Sequence, residues 1–266
     1  MSDPWKANEP IKEENIINES ERDSANPEND EYKLVKLEDD GRFSVEFLRN
    51  SITRIYDETS SPYTWTKPEN LVAIEVEIIG GGGGGGGINL GGRAGGNGGG
   101  GGYAFGRFLA SELGATETIT IGDGGNGSVG NGAGSAGGTS SFGSLLTANG
   151  GGAGGASVIL NPTSQPTHGS GGTSSGGIIN VRGTDGKFWI VPTSTETNSR
   201  YNQGGGDSFL GKGGPQYEIS GTSGVSGGNG SGKGAGGAGG ANANTSTTRD
   251  GGNGMPGFCR IIEYYS

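Results

Sequence analysis

Cysteine, histidine and long apolar runs are almost absent from this chain, and each absence narrows what it can be. Cys259 is the single cysteine, so no intrachain disulfide can form. His168 is the single histidine, and one thiol with one imidazole cannot supply a structural zinc site. No apolar stretch approaches the ~18–20 residues of a membrane-spanning helix. Basic residues are also short, 18 Lys and Arg against 28 Asp and Glu for a net charge of −10. The imbalance lies at one end: 19 acidic and 9 basic residues run through Ile79, then 9 of each follow. An acidic head and a neutral remainder argue against nucleic-acid binding. Glycine apart, 29% of residues are apolar, so no large oily core is expected.

What the chain has instead is glycine. All but one of its 63 glycines, Gly41, follow Ile79. The alternating stretch Leu71-Val-Ala-Ile-Glu-Val-Glu-Ile-Ile79 predicts a strand with Val72, Ile74, Val76 and Ile78 on one side and Glu75 and Glu77 on the other. It runs directly into eight glycines, residues 80–87. A second rich run, 91–102, precedes Tyr103-Ala-Phe105. Ordering glycine costs roughly 0.5–1 kcal/mol more per residue than ordering alanine. One backbone hydrogen bond per glycine, at ~1 kcal/mol, offsets that cost. The region is therefore either a flexible linker or a dense main-chain array. Three-residue-per-turn polyglycine helices would make such an array, because their N–H and C=O groups point outward and only glycine lets backbones approach closely. Collagen is excluded, since the glycine runs break any strict three-residue period. The strand-like islands between the runs favour the array.

Further strands are expected at residues 103–109, 117–121, 141–148, 188–191 and 258–265. The last is expected to pair with residues 71–79 and join the two ends of the domain. Phe188 and Trp189 both read as core. Within residues 32–62, Ser44 reads as the cap of a short helix carrying Phe47, Leu48, Ile52 and Ile55 at helical spacing, a docking or trimerisation element. Residues 1–31 are polar and acidic, with Pro4, Pro10 and Pro27, and read as an extended arm. Residues 63–266 form the glycine-rich domain. Met1-Ser-Asp-Pro-Trp-Lys-Ala-Asn lacks the apolar segment of a secretory leader, so the expectation is a protein made in the cytoplasm that stays there or leaves by a non-secretory route such as lysis.

Several tempting motifs fail on context. Gly122-Asp-Gly-Gly-Asn-Gly127 fits a dinucleotide fingerprint, but the glycines and short polar residues that follow cannot begin the helix that phosphate binding needs. Residues 227–233 approach a phosphate loop, but Gly234 stands where Ser or Thr is required. His168, in Gln165-Pro-Thr-His-Gly-Ser170, reads as an exposed loop residue with no triad around it. Asp123, Asp185, Asp207 and Asp250 lack a common spacing and read as turn formers. No enzyme, cofactor or metal follows.

Four segments interrupt the glycine runs: 156–168, 178–203, 209–224 and 241–250. Loops on a rigid scaffold are where binding resides, and aromatics and Arg are favoured anchors. Candidate contact residues are His168, Arg200, Tyr201, Tyr217, Asn242, Asn244 and Arg249. Candidate structural glycines are Gly80, Gly84, Gly87, Gly99, Gly102, Gly236 and Gly237.

The order Trp65…Pro68, alternating strand, eight glycines, Gly98-Gly-Gly-Gly-Gly-Tyr103, Thr118-Ile-Thr-Ile-Gly-Asp-Gly-Gly125, Ser140-Ser-Phe142 and Ala148-Asn-Gly-Gly-Gly-Ala153 resembles the glycine-rich domain of bacteriophage tail-fibre and adhesin proteins. More distantly it is similar to the T-even-type distal tail-fibre adhesin. Tyr32 to Leu48 is similar to junction segments at the head of such fibres. The resemblance implies a mainly β fold with polyglycine type II helices, layered or sandwich-like, behind an extended N-terminal arm and a short docking element. It implies a virion protein, a tail fibre or spike subunit, attached to other virion proteins through residues 1–60. It would bind a host cell-surface protein or glycan, as a homo-oligomer, a trimer, without nucleic acid or membrane insertion. The same domain type also occurs in other bacterial surface proteins and in an animal receptor kinase. A cementing virion protein without a receptor, a polyglycine-helix ice-binding protein and a bacterial surface protein remain the alternatives.

Overall fold

The computed structural model describes residues 51–91, 93–159, 164–190, 200–220, 224–243 and 247–265. The acidic arm, and the docking element up to residue 50, lie outside the described residues. One part of that element is a correction: Ile52 and Ile55, expected on a helix, lie in a strand, β1 (Ser51–Tyr56). Ile, Thr and Tyr suit a pleated ribbon better than a helix.

The described chain is mainly β, with two single 3-10 turns at Glu58–Ser60 and Ala110–Glu112 and no α-helix. In chain order the next strands are β2 (Tyr63–Thr66), β3 (Leu71–Ile79), β4 (Arg93–Ala94), β5 (Tyr103–Leu109), β6 (Thr116–Thr120), β7 (Ser140–Phe142), β8 (Leu146–Ala148) and β9 (Val158–Ile159). They are followed by β10 (Ser174–Ser175), β11 (Ile179–Val181), β12 (Trp189–Ile190), β13 (Arg200–Asn202) and β14 (Leu210–Lys212). The last are β15 (Tyr217–Ile219), β16 (Gly224–Val225), β17 (Ser231–Lys233), β18 (Ala241–Asn242) and β19 (Phe258–Tyr265).

One five-stranded sheet has the order β1-β19-β3-β5-β11, and a second has β10-β8-β7-β6-β2. β19 pairs antiparallel with β3 along its length, as expected, from Phe258 opposite Ile79 to Tyr265 opposite Leu71. The two sheets pack face to face. Ile74, Val76, Ile78, Cys259 and Ile261 from the first share one core with Trp65, Ile119, Phe142 and Leu146 from the second. Val72 departs from its expected inward side and is 48% exposed. The register slips there, with Tyr264 opposite Ala73 and Tyr265 opposite Leu71, and this bulge turns Leu71 inward in its place.

Where β3 ends, the chain keeps its extended course without sheet pairing, and its bonding becomes periodic in three. Gly80, Gly83 and Gly86 donate to the carbonyls of Gly102, Gly99 and Gly96. Gly81, Gly84 and Gly87 donate to Gly138, Ser135 and Gly132, and Gly82, Gly85 and Ile88 to Met255, Gly252 and Arg249. All nine bonds measure 2.8 to 3.0 Å. In return, Gly151 and Gly154, Gly125 and Ser128, and Gly237 and Gly240 donate to carbonyls of the same run. The run thus has six neighbours, three antiparallel that accept from it and three parallel that donate to it. Those six also bond to one another in a ring: Gly99 to Gly152, Gly137 to Gly151, Gly138 to Asp123, Gly254 to Gly125, Gly252 to Ala238 and Gly98 to Gly237.

Residues 95–102 form a second centre beside the first. They donate to residues 149–155 and 234–240 at the same three-residue spacing, and Gly100 donates to Thr184. Amides of Gly169, Gly172 and Gly206 bond back to them. A Cβ on Gly80, Gly84, Gly87, Gly99, Gly102, Gly236 or Gly237 would fall inside contact distance of a neighbouring backbone carbonyl oxygen. All seven candidate structural glycines therefore occupy positions where a side chain has no room.

Candidate recognition surface

The segments that interrupt the glycine runs build small sheets beside the array. β12, β13 and β15 form one, β16, β18, β4 and β9 another, and β14 with β17 a two-stranded ribbon. In the first, the register sets Trp189, Asn202 and Tyr217 in one cross-strand row and Ile190, Tyr201 and Glu218 in the next. Neighbouring rows face opposite ways. Trp189 is 3% exposed and packs with Ile219, Ala94, Ala241 and Ala243, whereas Ile190 and Tyr201 are 47% and 39% exposed. The alternation also corrects one expectation: Phe188, read as core together with Trp189, is 66% exposed.

Each candidate contact residue now has a place. Tyr201 faces solvent on the outer row. Arg200 is half-buried opposite Ile219, its Nη1 has no hydrogen-bond partner, and burial lowers its pKa. Tyr217 is partly buried: its hydroxyl donates to the Gly239 carbonyl, its ring meets Trp189 edge-on at 5.7 Å, and burial raises its pKa. Asn242 is fully buried, its Nδ2 donating to the Thr247 carbonyl at 2.8 Å, and so offers no surface to a partner. Arg249 is partly buried with an unpartnered Nε. Asn244 lies outside the described residues.

His168 is not the exposed loop residue expected. Its Nδ1 accepts the Asn97 N–H at 3.2 Å, and its ring stands edge-on to Phe188 at 5.0 Å. Three residues on, Gly100 finds a backbone carbonyl, so the imidazole acts as an acceptor within the array. Burial lowers the His168 pKa to about 4, which keeps the ring neutral and able to accept.

Three arrangements escaped the sequence reading. Asn97, fully buried among glycines, donates from Nδ2 to the Lys187 carbonyl and to Asn202 Oδ1 and accepts the Gly239 N–H at 2.8 Å. A lone non-glycine at the centre of residues 95–102 was the available signal. Phe209 stacks on Tyr103 at 4.1 Å, and the Tyr103 hydroxyl donates to Glu77 Oε1 at 3.0 Å. Burial and Glu77 push the Tyr103 pKa to about 12. Glu263 shares the inward side of β19 with Cys259 and Ile261, so a carboxylate on a core-facing alternation was the signal for it.

Two open depressions lie among these elements. One, about 460 Å³, is lined by Asp207, Ser208, Phe209, Leu210, Lys212 and Ser231. The other, about 330 Å³, is lined by Ile190, Tyr201, Asn202, Gln203, Gln216 and Tyr217. Burial raises the Asp207 pKa, but the Gly213 amide at 2.8 Å and the ammonium groups of Lys187 and Lys212 outweigh it and hold the carboxyl ionised. Among the described residues no three His, Cys, Asp or Glu side chains gather to hold a metal ion. The two rejected phosphate motifs are occupied otherwise: the Gly125 amide bonds to Gly82, and Lys233 Nζ lies 3.2 Å from Glu58 Oε2.

The sequence profile of a family described as glycine-rich domain matches residues 58–265, more than three-quarters of the chain. The chain belongs to this family of glycine-rich domains. Comparison with curated proteins yields no match. In this glycine-rich domain the profile takes in the array, the facing sheets apart from β1 and all four interrupting segments, so the candidate contact residues are part of the domain itself.

Proposed function

We propose that this chain is a bacteriophage virion protein, a tail-fibre or spike subunit that recognises a host cell-surface protein or glycan. Its glycine runs are polyglycine type II helices. Its residues 1–60 attach it to other virion proteins, and it acts as a homo-oligomer without catalysis, nucleic acid or membrane insertion. One observation carries the reading: a main-chain array, bonded every third residue, supports short sheets whose outer row, Ile190 and Tyr201, leaves apolar side chains in water beside an open depression. Exposed aromatic and apolar anchors on a rigid support are what recognition needs, because little ordering cost remains at the moment of binding. The three-residue bonding period supports the helix assignment. The acidic, proline-containing composition of residues 1–31 supports an arm that orders on a partner.

The test is adsorption of particles carrying Ile190→Ser with Tyr201→Ala. Both side chains are exposed, so folding is expected to be unaffected, while adsorption falls at least tenfold. Unchanged adsorption by this variant and by swaps of all four interrupting segments overturns the receptor-binding reading and leaves a cementing role. Such a role predicts loss of particle assembly on deleting residues 1–31.

A further inference from the structure

The larger depression is built directly on the array. Gly206 donates to the Gly98 carbonyl, and the next residue, Asp207, is clasped by Thr184. The Thr184 N–H donates to the Asp207 carbonyl at 2.9 Å, and the Asp207 N–H donates to Thr184 Oγ1 at 2.6 Å. The chain then reverses in a tight turn, closed by the Ser208 N–H on the Gly211 carbonyl at 2.9 Å. Phe209 and Leu210 form its tip. Turn tips favour Gly, Asn, Asp and Ser, yet these two bulky apolar residues are 55% and 48% exposed. Phe209 lies with one face on Tyr103, the ring planes 24° from parallel. With that face covered and more than half of the residue exposed, its other face meets water.

Polar groups surround that ring. Asp207 Oδ1 accepts the Gly213 N–H at 2.8 Å, while Oδ2 lies 3.4 Å from both Lys187 Nζ and Lys212 Nζ. Charge-assisted N–H bonds settle at ~2.7–2.9 Å, so both pairs are loose and Oδ2 keeps room for a further donor. The Lys212 side chain is 85% exposed and has donors to spare. The register sets Ser231, also exposed, opposite Lys212 and on the same side of the β14–β17 ribbon. An aromatic face, a carboxylate acceptor, an ammonium and a hydroxyl thus line one depression of about 460 Å³. The smaller depression differs, because Asn202 and the Tyr217 hydroxyl in its lining are bonded inward to the Gly239 carbonyl.

A pyranose ring matches this set. Its C–H bonds make one face apolar and slightly positive, which suits the negative face of an aromatic ring. Its rim carries hydroxyls that both donate and accept. We propose that the depression between Asp207 and the Phe209 tip is a carbohydrate subsite for one neutral hexopyranose unit of a surface glycan. The sugar stacks on the open face of Phe209, donates a hydroxyl to Asp207 Oδ2 and accepts from Lys212 Nζ and the Ser231 hydroxyl. A sugar acid would set a second carboxylate beside Asp207, where like charges repel. The inference rests on the recognition reading above and narrows its ligand to a glycan. One such subsite binds weakly, and several copies presented together multiply its effect.

Saturation-transfer NMR of the full chain with the methyl glycosides of glucose, galactose and mannose tests this, with methyl galacturonide as the acidic comparison. At least one neutral glycoside is expected to bind, with the strongest transfer to C–H protons of one ring face. Phe209→Leu keeps an apolar tip but removes the ring, and is expected to weaken binding at least tenfold. Phe209→Tyr restores a ring and is expected to bind at least fivefold better than Phe209→Leu. Lys212→Ala, on an exposed side chain, is expected to lose at least threefold and reports on the site should Phe209→Leu unfold. Val129→Ser, 86% exposed and outside the depression, is expected to stay within twofold. No binding of any neutral glycoside, wild-type binding by Phe209→Leu, or tighter binding of methyl galacturonide than of every neutral glycoside would overturn the proposal. Particle adsorption separates it from the broader reading. Particles that adsorb although their chain binds none of the glycosides overturn the subsite and leave the recognition reading. A chain that binds them, on particles whose adsorption no segment swap changes, keeps the subsite and overturns the receptor role.

Discussion

Glu263 accepts the indole N–H of Trp65 at 2.7 Å inside the core, joining the last strand of one sheet to an edge strand of the other. Arg54 Nε from β1 donates to the same oxygen at 2.7 Å, and the Tyr265 hydroxyl donates to the second oxygen. The carboxylate thus ties three strands at one point.

Glu263→Ala is expected to cost roughly 2–4 kcal/mol in urea unfolding, since it leaves a buried indole N–H and a guanidinium without an acceptor. Burial raises the Glu263 pKa, but the donors from Arg54, Trp65 and Tyr265 outweigh it and the net shift is downward. A lowered folded pKa means that the stabilisation is present above the unfolded carboxyl value and is lost as pH falls through the folded one. Glu263→Gln is therefore expected to flatten the acid limb of stability. An acid limb identical to wild type would refute the assignment.

His168 acts in a different window. Its folded pKa, about 4, lies below the ordinary value of 6.5, so the unfolded state binds the extra proton between them. Stability is expected to fall as pH drops from about 6.5 to about 4 and to level off below that. Thermal unfolding of His168→Gln, which cannot protonate, should lack this slope. A His168 resonance titrating near 6.5 in the folded protein would contradict it.

Gly84→Ala is expected to abolish folding or cost more than about 4 kcal/mol, because its Cβ would meet the Asn126 carbonyl at the centre of the array. In the wild-type protein, amides of residues 80–88 and 95–102 should be among the slowest to exchange with deuterium. Exchange there within seconds would mean that the array does not persist in solution.

Asn97→Ala removes the side-chain bonds to Lys187, Asn202 and Gly239 in a buried site and is expected to cost about 2–3 kcal/mol. Asn97→Gly should cost about as much, because the lost bonds decide the effect rather than space. A melting curve for Asn97→Gly matching wild type would show that glycine suffices there.

Strand alternation made much of the paired-sheet half legible. Residues 71–79 and 258–265 carry their inward faces openly, and their pairing followed from position. Val72 and Phe188 escaped that logic, one because a bulge shifts the register and the other because neighbouring residues on an extended chain cannot both face inward. His168, Tyr217 and Asn242 looked like loop residues beside glycines, yet each completes main-chain bonding that no local pattern reveals.

The amino-acid order alone settled that glycine is gathered after residue 79, that charge lies at one end, and that a strand enters and leaves the glycine region; that a side chain has no room there came from the packing. It did not settle which run lies beside which. A glycine amide in residues 80–87 is chemically the same as one in residues 234–240, so nothing local tells Gly84 to bond with Ser135, or Gly85 with Gly252. That choice belongs to the packed whole. The facing sheets fix where the first run starts, the three-residue period carries the register outward, and side chains such as Asn97 and Glu263 fasten it where they alone can reach.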